Sequence, residues 1–165
     1  MLFLGHPTYA ITVVLTGLLA FAGLGALLSG RVGGGGAVTR RHLVRVMVAV
    51  VALVVLETVI VTWWIPSLLG LPVAVRIAIV LAMMAPLGIA LGMPFPLGVR
   101  VVDAWQPELI PWGWAINGFV SVFSSIFCIV LAMMSGFATV LGIGAVIYAL
   151  GHWALLPLAG REEPP

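Results

Sequence analysis

Apolar residues along this chain come in long, nearly uninterrupted runs. They show neither the alternation of a half-buried strand nor the one-sided stripe of a helix on a soluble core. Five runs stand out, at about residues 8–28, 43–64, 73–91, 113–135 and 137–156. Each is close to the ~20 residues that a helix needs to cross a hydrocarbon core ~30 Å thick. Backbone N–H and C=O groups inside lipid must be satisfied within the segment, which favours helices. The runs lack the roughly ten-residue alternating segments of membrane strands. The pattern therefore predicts an all-α, multi-pass transmembrane bundle of about five spanning helices, forming a single integral membrane domain over residues 1–165.

The breaks between runs predict the connections. "SGRVGGGGAVTRRH", residues 29–42, holds four consecutive glycines and three arginines and reads as a flexible polar loop. "IPSLLGLPV" is short and uncharged and fits a tight turn at a membrane face. Residues 92–112 form the longest connection and begin "GMPFPLGVR". Pro94 and Pro96 lack N–H donors, and prolines push the residues before them, Met93 and Phe95, towards extended geometry. The segment is expected to be a rigid, non-helical exit anchored at the headgroups by Arg100. Pro86 predicts a kink in the third helix. Only Gly136, beside Ser135, separates the last two helices, which predicts an antiparallel hairpin, and the tail "GREEPP" is polar.

Arginine placement predicts orientation. With five spans, the first and third loops and the C-terminus share a face that receives Arg31, Arg40, Arg41, Arg45, Arg100 and Arg161, against Arg76 alone on the other. The C-terminus and loops 29–42 and 92–112 are thus expected in the cytoplasm and the N-terminus outside. Trp63 and Trp64 then fall at the outer end of helix two, and Trp105, Trp112, Trp114 and Trp153 at inner ends, as an interfacial belt requires.

Composition strengthens this picture. Hydrophobic residues make up 63% and charged residues 7% of the chain, far from the roughly even apolar share and about 25% charge of soluble domains. A net charge of +2, with no basic stripe, argues against a nucleic-acid partner and leaves the lipid bilayer as the expected surroundings. All basic residues are arginine, and with abundant Gly, Ala and Pro this fits a GC-rich bacterial genome. The lone Cys128 allows no disulfide within one chain, and the scattered His6, His42 and His152 show no metal-ligand spacing. No nucleophile motif, phosphate loop or dinucleotide fingerprint is present, so no cofactor, metal or catalytic residue is assigned.

A few residues remain as candidate functional positions. Glu57 lies about eight residues from the outer end of helix two, hence ~12 Å deep. Intramembrane carboxylates are costly and usually face protein or water. Three readings stay open: a proton- or cation-binding site, a structural pair with Arg76, or a glutamate kept protonated because lost hydration disfavours its charge. Asn117, with Ser121, Ser124 and Ser125, makes a polar stripe on helix four that suits either helix packing or a substrate path. Further small-residue stripes, Thr12, Thr16, Ala20 and Gly23 on helix one and Ala138, Gly142, Ala145 and Ala149 on helix five, predict close packing within the bundle or against a partner or second copy. His6 precedes Pro7 and suits a helix cap or an interface.

Taken together, "FLGHPTYA", "GLGALLSGR", "GMPFPLGVR" and "PWGWAINGF" resemble, in order and spacing, the membrane region of bacterial spermidine-synthase-like fusion proteins. In that family hydrophobic helices are joined to a Rossmann-like domain related to aminopropyltransferases. The matching positions are His6, Pro7 and Tyr9; Gly92, Pro94, Pro96 and Arg100; and Trp114, Asn117 and Gly118. The chain starts, without the positive n-region of a signal peptide, where the family would have a further helix preceded by the catalytic domain. The family's acidic catalytic residues therefore have no counterpart here. The resemblance implies a bacterial inner-membrane domain that anchors or serves an aminopropyltransferase-like cytoplasmic domain or subunit, docked at the Pro94–Arg100 segment, with no catalysis by this chain alone. Two alternatives are a small-molecule or polyamine transport module lined by Glu57 and the Asn117 stripe, and a structural fragment without independent activity.

Overall fold

The computed structural model describes residues 2–34, 37–155 and 157. Gly35 and Gly36 of the glycine run, residue 156 and the predicted polar tail with Arg161 lie outside the described residues, as do the side chains of Ala138 and His152. Among the described residues every regular element is helical. Six α-helices follow in order: α1 (Pro7–Ser29), α2 (Arg40–Trp63), α3 (Val73–Gly92), α4 (Pro94–Trp105), α5 (Ile110–Ser135) and α6 (Phe137–Leu155). Short 3-10 turns at Leu2–Leu4, Ile65–Leu68 and Pro107–Leu109 join them. Four stretches are long and apolar enough to cross a membrane, Pro7–Ser29, Arg40–Val61, Val73–Trp105 and Pro107–Ser135, with a shorter apolar helix at Thr139–Gly151. The molecule is a multi-pass helical bundle of the class its apolar runs predict.

One segment corrects the prediction. Residues 92–112 are not an extended connection: α4 occupies most of them, and α5 starts at Ile110. Pro94 is the first residue of α4 and Pro96 the third. N–H groups of a helix's first turn have no intrahelical acceptor, so proline forfeits nothing there and its fixed φ already suits the helix. Met93, although it precedes proline, keeps helical angles (φ −83°, ψ −38°), and its N–H donates to the Ala90 carbonyl at 3.3 Å. α3 therefore passes into α4 with one residue between them. Replacing Pro94 or Pro96 by alanine is accordingly expected to change stability by less than about 1 kcal/mol and to leave helical circular dichroism unchanged. A proline-dependent extended exit would instead collapse or lengthen.

Contacts divide the chain into two compact units, residues 1–35 with 48–96, and residues 36–47 with 97–165. In the first unit α1 packs along α3. The glycines explain how closely. A Cβ on Gly25 would strike the Ile89 carbonyl oxygen, and one on Gly92 would strike the Ala22 carbonyl oxygen. A Cβ on Gly88 would lie 2.7 Å from the Phe21 Cβ, and one on Gly17 2.9 Å from Leu81. Small residues that let backbones approach are how membrane helices associate when lipid is as apolar as their side chains. The stripe predicted on helix one is displaced: Gly23 meets nothing within 4 Å, and Gly17, Ala22 and Gly25 face α3 instead. Ser29, buried at the end of α1, satisfies its hydroxyl by donating to the Ala26 carbonyl at 2.6 Å. Pro86 sits within an unbroken α3.

In the second unit Leu97 and Val101, one turn apart on α4, are buried, whereas Asp103, Ala104 and Trp105 are exposed. α5 and α6 pack on each other across Gly136, whose φ of +85° excludes most side chains. No residue of α5 is buried.

Candidate functional site

A polar anchor linking distant parts of the first unit's sequence centres on Arg76, in the first turn of α3. Its Nη1 donates to the Phe3 carbonyl oxygen at 2.7 Å, and the guanidinium carbon lies 6.0 Å from the centre of the Phe3 ring. This fastens the Leu2–Leu4 turn to the start of α3. Beneath it Phe3, Leu4 and Ala10 are buried and pack with Val13, Leu68, Ile77 and Val80. A charge-assisted hydrogen bond to a carbonyl and an aromatic face are both favourable for a guanidinium short of water. Arg76 Nε is buried without a partner.

His6 follows this turn and caps α1. Its extended backbone (φ −137°, ψ 133°) lets Nδ1 accept the Thr8 N–H at 3.3 Å, and Pro7 takes the first helical position. Its ring meets Tyr9 edge-on at 5.9 Å. The cap uses one of its two ring nitrogens in a structural role.

Glu57 lies in the last third of α2 and is half-buried. Its Oε1 is buried without a hydrogen-bond partner. Among the described residues it forms no ion pair with Arg76, so the structural-pair reading is corrected. The guanidinium is taken by a backbone carbonyl that folds back from 73 positions earlier in the chain. The residue after it, Thr58, donates its hydroxyl to the Val54 carbonyl at 2.7 Å, back into its own helix.

The α5 stripe is likewise turned inward on its helix. Ser121 Oγ donates to the Asn117 carbonyl at 2.7 Å, and Ser124 and Ser125 donate to the Ser121 carbonyl at 3.2 and 2.8 Å. These hydroxyls are exposed. Pro94, Pro96 and the half-buried Arg100 sit on α4. His6 and Arg76 bracket the same N-terminal turn. Among the described residues no group of His, Cys, Asp or Glu gathers as metal ligands do. Two contributors escaped the sequence reading: Phe3, which nothing local marks, and the Gly88–Gly92 pair, whose G-x-x-x-G spacing is a legible signal. Comparison with protein-family models, with curated proteins and with solved structures finds no match.

Proposed function

We propose that this chain is a bacterial inner-membrane module that anchors or serves an aminopropyltransferase-like domain or subunit in the cytoplasm, at the face that carries most of its arginines. The observation that carries the reading is α4. It is a short helix that follows a membrane-length helix in the sequence, with a buried Leu97–Val101 edge and an exposed Asp103–Trp105 end on which a partner would dock. The ordered motifs around His6, Pro94 and Asn117 that resemble spermidine-synthase-like membrane regions support the same reading. Purification of the full chain in mild detergent is expected to retain a soluble aminopropyltransferase-like protein. An Asp103→Arg/Trp105→Ala variant is expected to lose it at least tenfold while keeping its helical content. Equal retention by that variant would contradict docking at α4.

A second reading rests on Glu57, whose buried carboxyl oxygen is unpartnered: a transport module in which this group binds a proton or a cationic substrate. Polyamine uptake into vesicles containing the full chain should then fall severalfold with Glu57→Gln. Uptake that survives the change excludes the carboxylate as the coupling group.

A further inference from the structure

The first turns of α2 carry Arg40, Arg41 and Arg45, all exposed. No acidic residue lies in the first turn, and among the described residues no carboxylate pairs with any of the three. Arg41 and Arg45 are one turn apart, a spacing at which like charges repel. They also sit at the end of the helix where the peptide dipoles place partial positive charge, which disfavours cations. The three guanidinium groups thus concentrate positive charge at one end of the helix.

His42 lies in the same turn. The Thr39 backbone N–H, which can only donate, is directed at His42 Nδ1 at 3.3 Å. The Thr39 hydroxyl lies 3.0 Å from the same nitrogen. The apolar stretch Arg40–Val61 begins with these residues, which sets the guanidinium groups at the boundary of the hydrocarbon. At that boundary the abundant anions are lipid phosphates. Planar guanidinium forks match phosphate oxygens in geometry as well as charge.

We propose that Arg40, Arg41 and Arg45 form a docking surface for the phosphate headgroups of anionic phospholipids in the leaflet where α2 begins. The surface is independent of α4 docking and of any role for Glu57. The test uses the full chain reconstituted in vesicles of equal parts phosphatidylglycerol and phosphatidylcholine, then extracted and analysed for retained lipid by native mass spectrometry. The chain is expected to retain phosphatidylglycerol in preference by on the order of tenfold, a preference that weakens as salt is raised. The R40Q/R41Q/R45Q variant is expected to approach parity, and R40K/R41K/R45K to keep most of the preference. Helical circular dichroism establishes that both variants fold. A glutamine variant that keeps the wild-type preference would overturn the proposal. So would displacement of the lipid by millimolar inorganic phosphate, which would mean that a free anion, not a membrane lipid, is the ligand.

Discussion

Gly92→Leu is expected to weaken the α1–α3 pairing by about 3 kcal/mol, the upper end of typical overpacking costs, read as a lowered midpoint of unfolding in mixed detergent micelles. The size follows from what the new side chain would meet. A Cβ at Gly92 runs into the backbone carbonyl oxygen of Ala22, and one at Gly25 into that of Ile89. A carbonyl cannot rotate aside without giving up its place in the helix ladder, so the helices themselves must separate. Gly88 and Gly17 face the side chains of Phe21 and Leu81, which can shift, and alanine there should cost less. Gly23 is the internal control. It lies on the same helix with open space around it, and Gly23→Ala should be neutral or stabilise by up to about 1 kcal/mol through the lower backbone entropy of alanine. Equal effects at Gly23 and Gly25 would contradict the close crossing of α1 and α3.

The second large effect has the opposite sign. Glu57→Leu is expected to stabilise the fold by about 1–3 kcal/mol, because it removes a buried oxygen that no described group satisfies and leaves no broken pair behind. Had Glu57 been tied to Arg76, the same substitution would strand a guanidinium and destabilise by more than it gained. Arg76 is instead occupied by the Phe3 carbonyl, so the two residues should behave independently in a double-mutant cycle. Stabilisation by this substitution would mark Glu57 as a residue that does not serve the stability of the fold. Loss of stability in Glu57→Leu would show that the carboxyl has a partner and a structural role.

The extent to which this architecture is legible in the sequence follows from its solvent. Hydrocarbon demands long apolar helices, and α1, α2, α3, α5 and α6 begin and end within about three residues of the runs that predict them. The same solvent hides the packing. When every face of a helix is apolar, periodicity cannot say which face meets a neighbour, so Gly23 and Gly25 look equivalent until α3 is in place. α4 was concealed by its prolines, whose effect depends on whether they sit in a first turn or an interior turn. Arg76 found a carbonyl and not a carboxylate because the Leu2–Leu4 turn packs at the start of α3, a relation no local pattern encodes. The hydroxyls of α5 look like a lining in projection, yet each is satisfied within its own helix.

The most direct test of the membrane-spanning fold is sided labelling. In a Cys128→Ser background, single cysteines replace Ala37, just before α2, and Ser67, just after it; both positions are exposed. A membrane-impermeant maleimide applied to intact cells is expected to label one of the two, and the other only after the membrane is opened. Labelling of both from the same side without opening the membrane would mean that α2 does not cross the bilayer, and the account built on it would be wrong.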